Sequence, residues 1–402
     1  MAKKLKGNLI VGQSGGPTAV INNSLCGVIQ EAQKHSDIEN IYGMLHGIQG
    51  LLEENIIDLG RQKPEIIEGL RSTPSAALGS CRYKLKDEDC EKILDIFKKY
   101  NVRYFIYNGG NDSMDTAHKV GELAKSEGYE LRCMGVPKTV DNDLAFTDHC
   151  PGYGSVSKFN AIATRDAGRD TEAIGIVDKV KIIETMGRNT GWITASTALA
   201  KDSEDSAPHL IYLPERVFDE EKFLADVESV YSRLGYALIT VCEGLKDKDG
   251  KYLTASDRAI YADAFGHKQL GGVADYLCSI IADNLKIKAR FDKPGTIQRM
   301  SSLCASKTDA EEAYMVGQAA VENAIEGASG YMVSLVRESN DPYKCTTGLV
   351  PLEKVANAEK PVPDEFINEA GNFVTGAYIE YAKPLIGELP EYVRLEKIAV
   401  KR

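Results

Sequence analysis

Apolar residues in this chain occur in short runs that alternate with longer stretches in which apolar positions recur every three or four residues. The short runs, typical of buried strands, are 9–11, 103–107, 131–136, 181–185, 209–213, 237–242 and 331–336. The longer stretches predict helices over about 19–34, 219–234, 270–285 and 309–325, with a further helix that ends near 125. Strand and helix therefore alternate along most of the chain.

This alternation predicts right-handed β-α-β units and mostly parallel sheets, because a crossover must return over the sheet between two parallel strands. The number of units predicts two doubly wound sheets rather than one. The pattern breaks at 151–155, where a domain boundary is predicted. The last fifty residues contain several prolines and predict an irregular segment packed on the body of the protein.

The composition argues against several classes of function. The chain has 402 residues and a net charge of -11, which disfavours a nucleic-acid or acidic-membrane partner. No apolar run approaches the roughly 20 residues of a membrane span, and the first residues lack the apolar core of a signal peptide. Nine cysteines without C-x-x-C spacing and six histidines without metal-ligand spacing predict a cytoplasmic protein with reduced thiols and no zinc site.

Two glycine pairs follow predicted strands, at the place where open α/β sheets bind ligands. Gly15-Gly16 and Gly109-Gly110 have no Cβ, so backbone N–H groups and a following helix N-terminus can approach phosphate oxygens. The alternative is two tight turns that need positive φ. Neither pair matches the P-loop or the dinucleotide-binding pattern, which argues against those two classes of enzyme.

The loop 139–143 (Thr-Val-Asp-Asn-Asp) places two carboxylates after another predicted strand. One carboxylate can accept a hydroxyl proton while the other stays near a metal or the substrate. The alternative is an Asx-rich turn with a helix cap. Lys138 favours the catalytic interpretation, because a lysine beside two acids at a phosphate pocket has an electrostatic use.

Several further charged residues follow strands or loops. Arginines of this kind can clamp phosphate, and Glu243 after the strand 237–242 can hold a sugar hydroxyl. The alternatives are solvated surface arginines and a helix-capping acid. Several such cations in a net acidic chain favour a binding role; the candidates are Arg82, Arg188, Arg290 and Arg299.

Together these pieces resemble the phosphofructokinase family, in order and at matching spacings over about residues 7 to 340. The shared pattern consists of Gly15-Gly16, Gly79-Ser80-x-Arg82, Gly109-Gly110-Asn111-Asp112-Ser113, Thr139-Val140-Asp141-Asn142-Asp143, Met186-Gly187-Arg188, Glu243-Gly244 and Ile297-Gln298-Arg299. Each piece is short, but all seven in sequence are highly specific.

The resemblance implies a fold of two doubly wound three-layer αβα domains, with mostly parallel sheets and the active site in the cleft between them. The domain that binds the phosphoryl donor is expected to comprise residues 1–153 and about 298–345. The domain that binds the sugar phosphate is expected to comprise residues 154–297 and about 346–402.

The resemblance also implies a role for each residue. Asp141 is the expected base for the 1-hydroxyl of fructose 6-phosphate, Thr139 is expected on the same hydroxyl or on the phosphate, and Asp143 is a further expected catalytic residue. Gly15, Gly110 and Arg82 are expected to bind the donor, with the Gly15 N–H on the transferred phosphate. The expected sugar-phosphate pocket comprises Met186, Gly187, Arg188, Glu243, Thr296 and Arg299. A weaker or different contact is expected at Thr296, where many members have histidine or tyrosine.

Two cations are expected to act across a subunit boundary. Arg290 matches an arginine that family members lend to the neighbouring subunit, and Lys179 stands at the position of a second. An active site shared in this way implies a homodimer or homotetramer.

Two residues point to pyrophosphate as the donor. Members that use ATP have glycine where this chain has Asp112 and Lys138. A carboxylate at Asp112 projects into the space of the ATP α-phosphate, and like charges near 4 Å repel by roughly 1 to 4 kcal/mol, depending on the screening. Lys138 then places a positive charge near oxygens whose charge changes during transfer.

The metal ligands are less clearly specified. The family commonly has an acid at position 111, whereas this chain has Asn111, whose amide oxygen binds a hard cation more weakly. Magnesium is therefore expected on Asn111, on Asp112 or mainly on pyrophosphate. The rival functions are an ATP-dependent phosphofructokinase that tolerates Asp112 and a catalytically silent regulatory paralogue.

Overall fold

The structure is a computed structural model, and it describes residues 5–254, 272–356, 358–396 and 398–400. The strands are β1 (Gly7–Gln13), β2 (Ile38–Met44), β3 (Ile56–Asp58), β4 (Val102–Gly109), β5 (Arg132–Pro137), β6 (Val180–Thr185), β7 (Leu210–Tyr212), β8 (Ala237–Cys242), β9 (Ala289–Asp292), β10 (Tyr331–Asn340) and β11 (Tyr343–Pro351). The helices are α1 (Ile21–Ala32), α2 (Gly47–Leu52), α3 (Pro64–Gly69), α4 (Asp87–Lys99), α5 (Asn111–Ser126), α6 (Tyr153–Ile174), α7 (Trp192–Ser196), α8 (Glu220–Leu234), α9 (Val273–Leu285), α10 (Lys307–Glu326), α11 (Leu352–Val355) and α12 (Gly376–Ile386).

The strands form two sheets, and the predicted two-domain α/β fold is confirmed. The large sheet has the order β11-β10-β5-β4-β1-β2-β3, and the small sheet has the order β7-β8-β6-β9. Pairing is parallel except at two edges of the large sheet, where β3 and β11 run antiparallel to their neighbours. In the large sheet, β2 lies on one side of β1 and β4 on the other, so the strand order reverses between β1 and β4.

Helices cover both faces of the large sheet because its strands are apolar on both sides. In β1, Leu9 and Val11 pack with residues of α1 and α10, whereas Ile10 packs with residues of α4 and α5 on the opposite face. Successive side chains of a strand point to opposite faces, so one apolar run supplies two cores. The result is the three-layer arrangement that the sequence predicts.

The small sheet is covered in the same way. Val180 and Ile182 of β6 pack with residues of α8 and α9 on one face. On the other face Ile183 packs against Ala167 of α6. The segment 151–155, where the alternation of strand and helix breaks in the sequence, contains the start of α6. This helix begins at Tyr153, immediately after Gly152, which has φ 107°.

The C-terminal part is more regular than the sequence predicts. An irregular segment was expected over the last fifty residues, but these include α12, which packs on α6 and α10 and buries Tyr378 and Leu385. The expected domain limit at 345 falls inside β11, which pairs with β10 along its length, so the large sheet extends to Pro351. The predicted helix at 270–285 is described from Val273 onward, and residues 270 and 271 lie outside the described residues.

Among the helices of the described residues, none combines the length and the apolar character needed to cross a membrane.

Candidate active site

A cleft of about 420 Å³ lies between the carboxyl ends of the two sheets. It opens where the strand order of the large sheet reverses, the position at which doubly wound sheets bind ligands. Most predicted site residues line this cleft; they are Gly15, Arg82, Gly110, Asn111, Asp112, Lys138, Thr139, Asp141, Asp143, Met186, Gly187, Arg188 and Glu243. These residues are far apart in sequence. They come together because they lie in the segments that follow strands at the carboxyl ends of the two sheets.

The turn after β1 is held from three directions. Gly15 adopts φ 77°, and its carbonyl accepts a hydrogen bond from Ser80 Oγ (2.5 Å). The Gly15 N–H donates to the Cys81 carbonyl (3.2 Å), so the N–H that was expected on the transferred phosphate already has a long bond to protein. The Gly16 carbonyl accepts from Lys138 Nζ (2.9 Å). Glycine is favoured at position 15 because its φ of 77° lies in the left-handed region that other residues rarely adopt.

Lys138 is a buried cation at the centre of the cleft, with 3% of its surface exposed. Its pKa is lowered to about 8, mainly by burial and also by the nearby charges of Arg299 and Arg82, while Asp141 and Asp143 oppose the shift. A lysine that is poorly solvated interacts strongly with any anion that enters.

The loop 139–143, here called the acidic loop, turns the carboxylates of Asp141 and Asp143 toward the cleft and the amide of Asn142 away from it. Asn142 has φ 55°, its Nδ2 donates to the Tyr381 hydroxyl (2.9 Å), and its Oδ1 accepts from the Cys150 N–H (3.0 Å). Asparagine tolerates this left-handed backbone better than most residues. The helix-cap alternative is wrong, because α6 begins only at Tyr153.

Asp141 and Asp143 share this loop, and the pKa values of both carboxyl groups are raised. The pKa of Asp141 is raised to about 7, mainly by burial and also by the carboxylates of Asp143 and Glu243, against the opposing effect of Lys138. Burial also raises the pKa of Asp143, although a hydrogen bond from Thr139 lowers it. A carboxylate with a raised pKa is a stronger base than an exposed one.

The first turn of α5 forms another part of the wall. Gly110 precedes the helix, and Asn111 and Asp112 are its first two residues. Asn111 Oδ1 is buried and has no hydrogen-bond partner among the described residues. No group of three His, Cys, Asp or Glu residues that could hold a metal occurs in the described ranges. An oxygen pair at 111 and 112 nevertheless fits magnesium, which commonly takes one or two protein oxygens and completes its shell with phosphates and water.

Residues that follow strands of the small sheet line the other side of the cleft. Gly187 follows β6 with φ 138°, and a Cβ there would lie 2.7 Å from the Thr190 carbonyl oxygen. Glu243 follows β8, and its N–H donates to the Thr185 carbonyl (3.3 Å). Burial raises the pKa of Glu243, while the ammonium of Lys293 opposes the shift. Arg188 and Glu243 thus project from neighbouring strand ends.

Four predicted residues do not line the cleft. Arg299 lies beside it, since a Cβ on Gly16 would lie 2.7 Å from Arg299 Nη1. Thr296 is exposed. Arg290 Nε forms an ion pair with Asp178 Oδ2 (2.9 Å), and Lys179 lies over the ring of Tyr231 at 5.3 Å.

Comparison with known proteins agrees with this geometry. A family model described as Phosphofructokinase matches residues 8–324. The chain belongs to the phosphofructokinase family. It is 43% identical to a pyrophosphate--fructose 6-phosphate 1-phosphotransferase of Xanthomonas campestris pv. campestris (strain B100), with 98% of each chain covered.

Other phosphofructokinase relatives extend this comparison. A solved structure of a pyrophosphate-dependent phosphofructokinase from Nitrosospira multiformis has a TM-score of 0.87 and 42% identity, with 98% of each chain covered. A sulfofructose kinase of Alkalicoccus urumqiensis is 34% identical, over 94% of this chain and 95% of that protein.

The phosphofructokinase cleft also contains residues that sequence reasoning missed. Asn189 and Thr190 directly follow the predicted Arg188 and line the cleft with it. The sequence signal for them was their position in the same loop as Arg188, which lies close to the loop that contains Glu243. Glu359 reaches the cleft from the C-terminal part, and Asn189 Nδ2 donates to its Oε1 (2.8 Å). Sequence offered no signal for Glu359, because it lies in a segment without a recognisable pattern.

Proposed function

We propose that this protein is a pyrophosphate-dependent phosphofructokinase. It transfers a phosphoryl group from pyrophosphate to the 1-hydroxyl of fructose 6-phosphate, giving fructose 1,6-bisphosphate and phosphate. The observation that carries this proposal is the placement of Asp112 and Lys138 at one cleft, with Lys138 Nζ on the Gly15-Gly16 turn and Asp112 in the first turn of α5. The names of the relatives at 40–43% identity support it.

The residues divide the reaction between them. Asp141 takes the proton of the 1-hydroxyl as the oxygen attacks phosphorus, one P–O bond forms, and the bond to the bridging oxygen of pyrophosphate breaks. Lys138 faces the donor side and stabilises the negative charge that the departing phosphate acquires. Arg188 and Glu243 hold the sugar phosphate from the small sheet. Reversal uses the same groups, because the phosphoryl group moves between two phosphate-containing partners, and this suits both glycolysis and gluconeogenesis.

Asp112 selects the donor. Its carboxylate lines the cleft in the first turn of α5, where a negative charge is favourable to the helix N-terminus. A longer donor brings a third phosphate toward this carboxylate and is repelled, whereas pyrophosphate has no such group.

Magnesium fits the same wall. Asn111 Oδ1 and the Asp112 carboxylate would hold it together with oxygens of pyrophosphate. When bound, the ion neutralises phosphate charge and so lowers the cost of bringing donor and acceptor together.

The oligomer and the location of the protein are part of the same proposal. Lys179 and Arg290 lie outside the cleft of their own chain, which is compatible with a homodimer or homotetramer in which a neighbour receives them. The domain that contains the large sheet binds the donor, and the domain that contains the small sheet binds the sugar phosphate. All nine cysteines are free thiols, which suits a cytoplasmic protein.

A direct assay tests the donor and the acceptor separately. The purified chain is given magnesium and fructose 6-phosphate with either pyrophosphate or ATP, and in parallel sulfofructose replaces fructose 6-phosphate. We expect turnover with pyrophosphate and fructose 6-phosphate. A preference for ATP would overturn the donor assignment, a preference for sulfofructose would overturn the acceptor assignment, and no turnover would favour a silent paralogue.

A further inference from the structure

The chain returns to the cleft well after residue 324, where the match to the family model ends. Residues 359–362, here called the strap, run along the acidic loop. Glu359 pairs with Leu144 in an antiparallel bridge, and the Lys360 N–H donates to the Asp143 carbonyl (2.8 Å). The strap is therefore attached to the backbone of the loop that carries both carboxylates.

The opposite side of the strap contacts the loop 187–191, here called the arginine loop because it contains Arg188. Asn189 Nδ2 donates to Glu359 Oε1 (2.8 Å). At the other end of the strap, Glu215 Oε1 accepts the N–H groups of both Gly191 (2.9 Å) and Val362 (2.9 Å). The arginine loop is thus joined to the strap at two points.

Lys360 fastens the strap to the body. Its buried ammonium donates to the carbonyls of Thr147 (3.0 Å) and Asp148 (2.8 Å), and its own carbonyl accepts from Trp192 Nε1 (2.8 Å). These three bonds hold Lys360 against the body of the protein, while Glu359 and Pro361 of the strap stay exposed.

We propose that the strap is a positioning element of the active site and that Glu359 is its positioning residue for the arginine loop. The acidic loop follows a strand of the large sheet and the arginine loop follows a strand of the small sheet, so the distance between the base and the acceptor site depends on a link between domains. Glu359 supplies that link within the cleft, since it contacts both loops. Such links matter because a misplacement of about 1 Å can cost on the order of 100-fold in rate.

The simpler alternative is that Glu359 is an acid at the rim of the cleft with no effect on the loops. The positioning role and this alternative predict different effects when Glu359 is replaced by a neutral residue. Glutamine keeps an oxygen that accepts from Asn189, whereas alanine removes it. Glu365, an exposed acid a few residues further along, provides a control of the same type away from the cleft.

The kinetic test rests on the proposed function. In Glu359→Ala we expect KM for fructose 6-phosphate to rise about threefold to tenfold, the effect of one lost hydrogen bond, with KM for pyrophosphate unchanged. Glu359→Gln restores KM to within about twofold, and Glu365→Ala leaves it unchanged. An unchanged KM in Glu359→Ala, or an equal rise for both substrates, would overturn the proposal.

A second readout does not depend on turnover. Trp192 is the single tryptophan of the chain, it is buried, and its indole bonds to the strap. We expect its emission to shift to longer wavelength and its quenching by acrylamide to increase in Glu359→Ala but not in Glu359→Gln. Absence of turnover in the unaltered protein would overturn the proposed function alone, whereas identical Trp192 emission in all variants would overturn the role of the strap.

Discussion

Two groups of the cleft, the buried Lys138 and the half-buried Asp141, set the pH range in which the cleft can work. Asp141 must be deprotonated to accept a proton, so kcat/KM falls as the pH drops below about 7. Lys138 must be protonated to stabilise an anion, so kcat/KM falls as the pH rises above about 8. We therefore expect a narrow bell-shaped profile for kcat/KM.

The acidic and the alkaline limb of this pH profile can be assigned to Asp141 and Lys138 separately. Bound pyrophosphate raises the pKa of Lys138, so the alkaline limb of kcat lies at higher pH than that of kcat/KM. In Lys138→Arg the alkaline limb disappears, because a guanidinium stays protonated, although the overall rate is lower in a cleft shaped for lysine. A profile that is flat across neutral pH would contradict the assignment of both groups.

Donor choice is also decided by a single residue. We expect Asp112→Gly to allow ATP to support turnover, because the substitution removes both the carboxylate and its volume from the donor side. The measurement is the ratio of kcat/KM for ATP to that for pyrophosphate. Asp115→Gly in the same helix carries a similar backbone cost outside the cleft and should leave the ratio unchanged. Continued exclusion of ATP by Asp112→Gly would show that another part of the cleft selects the donor.

At the level of residues, sequence predicts those parts of the site in which spacing and chemistry are local. Asp112, Lys138 and Asp141 lie within a few residues of a strand end, and a parallel sheet brings strand ends together. Glu359 could not be predicted, because its place depends on a long-range bridge to Leu144. The role of Asn142 was missed for the same reason, since its partner Tyr381 is supplied by α12.

Among the elements, the pair α1 and α10 shows how glycine sets packing distance. A Cβ on Gly317 would lie far inside contact distance of the Ser24 carbonyl oxygen, and a Cβ on Gly27 would do the same with the Tyr314 carbonyl oxygen. The two helices therefore approach backbone to backbone, over the face of the large sheet that contains Leu9 and Val11.

This close approach predicts opposite signs for two similar substitutions. Gly317→Ala forces α1 and α10 apart and should lower the free energy of unfolding by about 2 kcal/mol, within the range for overpacking. Gly69→Ala in α3 meets nothing within 4 Å and should raise it by about 0.5 kcal/mol, because alanine restricts the unfolded chain. Urea unfolding followed by Trp192 fluorescence measures both. Equal changes in the free energy of unfolding for the two variants would mean that α1 and α10 can move apart without loss of stability.

The elements that sequence predicted are those with an unbroken apolar run or a clear helical period. β4, β8 and α10 agree with their predicted ranges to within a few residues. The weakly patterned β9, of which three residues are exposed, was missed, and so was α6, since its first turn contains glycine and serine and follows a proline. Here tertiary packing decides the structure, because local propensity is weak.

For the molecule as a whole, a buried ionic network lies where several separate parts of the chain meet, behind the acidic loop. His149 is 1% exposed, with Nδ1 2.7 Å from Asp148 Oδ1 and Nε2 2.6 Å from Glu312 Oε2. Arg337 of β10 adds a second cation to Asp148, and the Tyr343 hydroxyl of β11 donates to Glu312. The network therefore connects the loop before α6 with α10 and the antiparallel edge of the large sheet.

The charge state of His149 makes this connection dependent on pH. Burial alone lowers the pKa of His149, but the carboxylates of Glu312 and Asp148 outweigh it and raise the pKa above the unfolded value of 6.5. A raised folded pKa stabilises the folded state fully below the unfolded pKa, and this contribution is lost as the pH rises through the folded pKa. We expect His149→Gln to lower the free energy of unfolding by about 3 kcal/mol near pH 6.5, because it takes the cation away from the buried Glu312 carboxylate, and by less at alkaline pH. Urea unfolding at several pH values measures the difference.

His35→Gln, which removes a partly exposed partner of Glu31, is the control and should change stability little at any pH. A loss that grows toward alkaline pH would mean that His149 is neutral in the folded protein and that the network is held by Arg337 instead.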